Sequence, residues 1–187
     1  MKVFEKPGKE NTEEAIRIAV ERAKEIGAPL LSATTKGASG KLLCEIAKEM
    51  GFEGKIVICT AAYGARPTAP GENVINVENK EAMQAYGVTF VTAAHILSGV
   101  ERAMSTQFKG IYPAEIIAQS LRMLSQGVKV SVEIGSMALD AGALPHGVPI
   151  VVLAGTSSGI DTTVVMSPAH ANRIFDTKIH EILCMPY

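Results

Sequence analysis

Short apolar, β-branched runs alternate along this chain with longer segments of helical period, and that alternation restricts it to one fold class. Residues 55–60 (KIVICT) and 149–154 (PIVVLA) read as buried strands. Residues 12–26 read as a helix. Asn11 caps it, Glu13 and Glu14 sit in the first turn where the helix dipole favours carboxylates, and Ala15, Ile16, Ala19, Ala23 and Ile26 form a stripe that Gly27 ends. The same reasoning predicts strands over 2–5, 29–33 and 88–92, and helices over 39–50, 78–86 and 93–104. Pro113 suits the first position of a helix over 113–126, and residues 61–76 form a Gly- and Pro-rich loop. The alternation VKVSVEI over 128–134 predicts a strand, with closing strands over 164–166 and 179–183. Strands and helices in this order predict a single α/β domain spanning 1–187, a three-layer, doubly wound, mostly parallel sheet.

Composition removes several functional classes. Lys and Arg number 18 against 19 Asp and Glu, a net charge of −1, so no basic surplus recruits nucleic acid. Aromatic residues are 5% with no Trp, which leaves no stacking platform for single strands. The apolar runs are too short to span a bilayer, so no membrane partner is expected. Cys44, Cys59 and Cys184 are an odd, widely spaced set, expected to be free thiols in a reducing cytoplasm. The four histidines show no metal-ligand spacing, so no metal is expected.

Ligands of open α/β sheets bind outside the carboxyl ends of the strands, and three segments are predicted to fall there. The first, residues 32–40 (SATTKGASG), sets hydroxyls, two glycines and a lysine before a helix, whose free N–H groups favour an anion. It matches neither GxxxxGK[ST] nor GxGxxG, and the competing reading is a glycine-permitted turn capped by Ser39. The second, residues 155–162 (GTSSGIDT), carries Thr156, Ser157 and Asp161; the carboxylate is suited to accept from a sugar hydroxyl, or else simply forms a turn. The third contains Glu133, a carboxylate within an apolar run that must be paired, exposed at a rim or shifted in pKa. Tyr63 and Arg66 sit on a loop at the same edge, and His95 follows the strand ending at Thr92. No nucleophile–base pair emerges from local spacing, so no catalytic residue is assigned.

Residues 30–49, with TTKGASG between strand and helix, resemble the α/β C-terminal domain of pyruvate kinase, as do KIVICTA (55–61) and VPIVVLAGTSSG (148–159). Over nearly its full length the chain is similar to the stand-alone pyruvate kinase α/β domain-like proteins, through FEKPGKENTEE (4–14), VEIGSMALDAG (132–142) and PAHANRIFDTKIHEILCMP (168–186). In the enzyme, the corresponding loop is the allosteric phosphate site. The resemblance carries that role to Thr34, Thr35, Gly37 and Ser39, although Lys36 stands where serine is usual and Ala38 where arginine is common. It implies a phosphate-binding fold without pyruvate kinase activity, because a catalytic barrel typically needs about 250 residues.

Together these readings lead to an expectation of a small-molecule binding domain for a phosphorylated ligand, with flavin mononucleotide (FMN) the best single guess. Thr34, Thr35, Lys36, Gly37, Ser39 and Gly40 are expected to hold the phosphate, Thr156, Ser157 and Asp161 the ribityl or ring edge, and Glu133 to approach the ligand. The alternative is a non-catalytic sensor of a phosphorylated metabolite acting through an oligomer or partner. A homo-oligomer is expected from the apolar surplus and the family likeness.

Overall fold

The computed structural model describes residues 1–65 and 68–187. Seven strands form one sheet in the order β1-β7-β6-β5-β2-β3-β4: β1 (Lys2–Phe4), β2 (Leu30–Thr34), β3 (Ile56–Thr60), β4 (Thr89–Thr92), β5 (Ile150–Ala154), β6 (Thr162–Ser167) and β7 (Lys178–Pro186). Both ends of the chain enter it, since β1 pairs with β7. Only β6 among them runs against the rest: it is antiparallel to β5 and β7, while β2 is parallel to β3 and β5, β3 to β4, and β1 to β7.

Helices cover both faces, giving the expected three-layer α/β architecture. On one face α1 (Thr12–Ile26), α2 (Ala38–Glu49) and α3 (Val77–Gln84) bury Ile16, Val20, Leu43, Ile46 and Met83 against Leu30, Ile58, Val151 and Leu153. On the other, α6 (Gln126–Asp140) packs Val128, Ile134, Met137 and Ala138 against Leu31, Val57, Val91 and Val152. Between β4 and α6 lie α4 (Gly99–Phe108) and α5 (Pro113–Arg122), the latter packed on α6. Two 3-10 turns, Lys9–Asn11 and Ala171–Asp176, complete the chain.

Helix α6 corrects the strand expected over 128–134. Ser125 caps it by accepting the Val128 N–H at 3.0 Å. Lys129 and Glu133, two positions apart on one face of the imagined strand, are instead one helical turn apart and bonded at 2.5 Å. Gly127 and Gly135 let the helix lie close on β6: a Cβ at Gly127 would meet the Thr162 side chain at 2.2 Å, and one at Gly135 the Met166 methyl at 2.9 Å. With the sheet beneath it and α5 outside, α6 is buried on nearly every side, and such a helix has no polar face from which to read its period. Two further boundaries move. The helix expected over 93–104 begins only at Gly99, and the one expected over 113–126 ends at Arg122, with α6 starting separately after the Ser125 cap.

The chain order fixes where a ligand can enter. From β2 it winds outward through α2 to β3 and through α3 to β4, then returns across the other face by α6 to β5 on the far side of β2. The winding direction therefore reverses between β2 and β5. A crevice opens outside the carboxyl ends of the strands at such a point.

Candidate functional site

A cavity of about 770 Å³ lies at that edge, within the size range of small-molecule sites. One wall is the loop between β2 and α2. Thr34 ends its strand nearly buried, and its Oγ1 accepts the Gly37 N–H at 3.2 Å and lies 3.1 Å from Ser39 Oγ, which folds the chain back into the helix. The first helical bond runs from the Lys41 N–H to Gly37 O, so the N–H groups of Ala38, Ser39 and Gly40 have no acceptor within the helix. Lys36 and Thr35 are exposed at the rim, and the Lys36 carbonyl is held by the Asn76 N–H and by Asn79 Nδ2, both at 3.1 Å. Thr34, Thr35, Lys36 and Ser39 all line the cavity.

Gly37 and Gly40 belong to the loop for a different reason from the expected ligand contact: they permit α3 to approach. Gly37 has φ 95°, and a Cβ there would sit 2.7 Å from Asn79 Cβ, while one at Gly40 would press on Met83 Sδ at 2.6 Å. Neither lines the cavity.

The hairpin between β5 and β6 forms a second wall. Gly155, Ser157, Ser158 and Gly159 line the cavity, and Ser157 takes a left-handed φ of 62°. Thr156 does not line it, and its N–H bonds Asp161. Asp161 itself is fully buried. Its Oδ2 accepts the N–H groups of Gly8 and Thr156, both at 3.1 Å, and its Oδ1 accepts the Thr162 hydroxyl at 2.9 Å. A carboxylate so occupied does not receive a sugar hydroxyl; it pins the start of the chain to the hairpin. Thr12 adds to the same join, its Oγ1 accepting the Ile160 N–H at 3.0 Å, and this brings Thr12 and Lys9 to the cavity wall.

The third wall is α6. Glu133 is 1% exposed yet borders the cavity. One oxygen accepts the Leu97 N–H at 3.0 Å, and the other meets Lys129 Nζ at 2.5 Å and His95 Nδ1 at 3.7 Å. Lys129 is equally buried, whereas the His95 ring is half-exposed and lines the cavity. Cys59, at the end of β3, lies along the same wall; burial first, and then the charge of Glu133, push its thiol up to about 12. It is a packed side chain and not a nucleophile. Tyr63 is exposed and not part of the wall, and Arg66 lies outside the described residues.

Of the residues singled out in the sequence, Thr34, Thr35, Lys36, Ser39, His95, Glu133 and Ser157 meet at one cavity. Sequence reasoning missed Lys9, Thr12 and Lys129. The first two arrive through the contact with residues 159–161, which no local pattern announces. Lys129 had a signal, its spacing of four from Glu133. Among the described residues no cluster of three or more His, Cys, Asp or Glu side chains is arranged to hold a metal, and no helix is long and apolar enough to cross a membrane.

No family model matches the chain. Among solved structures, it is similar to an NAD+ synthetase from Burkholderia pseudomallei, at 13% identity and a TM-score of 0.36 over 79% of this chain and 52% of that one. It is also similar to a hydrogen sulfide-producing enzyme from Fusobacterium nucleatum, at 12% identity and a TM-score of 0.30 over 70% of this chain and 41% of that one. The chain thus spans about half the length of these proteins or less, and neither is a pyruvate kinase.

Proposed function

We propose that the chain binds a phosphorylated small molecule at the switch-point cavity, with FMN the best single candidate. One observation carries this reading: the cavity is walled at one end by the unbonded N–H groups of a twelve-residue helix together with Thr34, Thr35, Ser39 and Lys36. Helix N-termini favour anions through free N–H groups and the positive end of the dipole, and an ammonium at the rim adds to both. The rest of the wall is mostly apolar, with Leu42, Val130, Ile134 and Met137, and it offers polar groups at Ser157, His95 and Glu133. An extended ligand with a phosphate at one end and a flat, partly polar body at the other suits that distribution.

The donor set fits FMN in this sense. The loop from Thr34 to Ser39 would hold the phosphate, and the α6 wall and hairpin would border the remainder. A bound flavin would supply electron-transfer chemistry, while this chain's residues bind and orient it. The resemblance to the pyruvate kinase α/β domain supports the phosphate assignment without the enzyme's activity. Three free, buried cysteines support a reducing compartment such as the cytoplasm.

The test is an absorption spectrum of freshly purified protein and mass spectrometry of what acid releases, followed by melting curves with added FMN. A flavin spectrum, or a melting temperature that rises with FMN, is the expected result. No flavin and no shift would remove FMN, and a failure of inorganic phosphate and sugar phosphates as well would remove the phosphate site.

A further inference from the structure

Helix α4 buries none of its residues. Its apolar side chains Val100, Met104 and Phe108, four apart, form a stripe turned to solvent, with Phe108 72% exposed. Helix α5 and the two residues that follow it also expose apolar side chains, Ile116 on the helix and Met123 and Leu124 after it, Met123 being 85% exposed, and Ile111 between the helices is 77% exposed. Glu101 joins the two by accepting the Ala114 N–H at 2.9 Å. A ten-residue helix is marginal in water without packing on its apolar face, and among the described residues none of α4 is buried.

We propose that the outward stripes of α4 and α5 are the surface on which a second copy of this chain docks, α5 against α5 in antiparallel sense. Area is the first argument. Summed over the two stripes, these seven side chains leave on the order of 500 Å² of apolar surface in water. With the flanking Arg102, Glu115 and Arg122, the surface approaches the roughly 800 Å² per partner of a standard interface.

Charge is the second. Glu115 lies near the start of α5 and Arg122 at its end; each is bonded within the chain to a neutral amide, Glu115 accepting from Gln119 Nε2 at 2.9 Å and Arg122 Nε donating to Gln126 Oε1 at 2.6 Å, and among the described residues neither forms an ion pair. Antiparallel pairing about Gln119 and Ser120 sets Ile116 against the partner's Met123. It also brings Glu115 within about two residues, or ~3 Å along the axis, of the partner's Arg122. The two-fold repeats this contact at the other end of the seam, so the helix is complementary to itself.

Sedimentation of the full chain tests the proposal. The expected mass is at least twice 19.8 kDa. Phe108→Glu with Met123→Glu should return it to a monomer with unchanged circular dichroism, because both side chains are exposed. Arg122→Glu alone should weaken association roughly tenfold, and adding Glu115→Arg should restore it, since the pair is then reversed in both copies. A wild-type monomer at micromolar concentration, an assembly untouched by the double glutamate variant, or equal association of the Arg122→Glu protein would each overturn the proposal.

Discussion

Asp161 and Glu133 are both carboxylates removed from water, at the two sides of one cavity, and they do opposite work. Asp161 is enclosed by the chain itself, bonded to two main-chain N–H groups and the neighbouring hydroxyl of Thr162. Glu133 faces the cavity wall and is held chiefly by the side chain of Lys129, with His95 half in solvent beside it and only Leu97 contributing main chain. Burial alone therefore does not mark a ligand site. What separates the two is whether the partners are fixed parts of the backbone or side chains open to rearrangement when something enters.

Mutation should expose that difference, and Asp161 gives the larger effect. Asp161→Ala strands two N–H donors and a hydroxyl and cuts the join between residue 8 and the β5–β6 hairpin, so about 5 kcal/mol of stability should be lost in urea unfolding. No second side-chain truncation rescues it, because the stranded donors belong to the main chain. Glu133→Leu should cost about 3 kcal/mol, mostly by leaving the Lys129 ammonium buried without its partner. Here a rescue exists. Adding Lys129→Met should recover all but about 1 kcal/mol, the remainder being the Leu97 N–H. Equal losses for the single and double variants would make Glu133 as much a backbone pin as Asp161.

The same contrast explains what was legible in the sequence. Strands β3 and β5 announced themselves because a strand covered on both faces is mostly apolar and β-branched, β2 did so as a short apolar run between Pro29 and a Gly-containing loop, and α1 because one of its faces is wet. Helix α6 was not legible, since enclosure on all sides erased its period and left VKVSVEI looking like alternation. The Thr34–Ser39 wall could be read because its chemistry lies within one local loop. The Asp161 network could not be, because Gly8 and Thr12 reach it from the opposite end of the chain. Gly37 and Gly40 carry a second role that the sequence hid: their small size lets α3 approach, through Asn79 and Met83, 42 and 43 positions away.

At the mouth of the cavity the expected effects become smaller and appear in binding, not folding. Lys36 is exposed, so Lys36→Glu should leave the melting temperature of the free protein within about a degree of wild type. Affinity for FMN or inorganic phosphate should fall roughly tenfold or more, because a charge is reversed beside a helix N-terminus. Isothermal titration measures this directly, and unchanged affinity would take the anion away from this loop.

The smallest effect compares the thiol beside each carboxylate. Cys59 is raised to about 12 by burial and then by Glu133. Cys184 is also raised, again by burial first, with its bond to Thr163 opposing and Asp161 adding a lesser push. Both folded thiols stay protonated where an unfolded one, with an ordinary value of 9.0, ionises. The sign follows: their contribution to stability is complete below that value and declines as the pH rises through it. At mildly alkaline pH both should alkylate slowly in the folded protein and fast in urea. Removing the charge with Lys129→Met and Glu133→Leu together should speed Cys59 a fewfold and leave Cys184 alone, since burial still dominates. FMN, if it occupies the cavity, should slow Cys59, which lines the wall, and not Cys184. Mass spectrometry of the alkylated peptides separates the two sites. Equal protection of both by FMN would mean that the ligand tightens the whole fold without seating against the α6 wall.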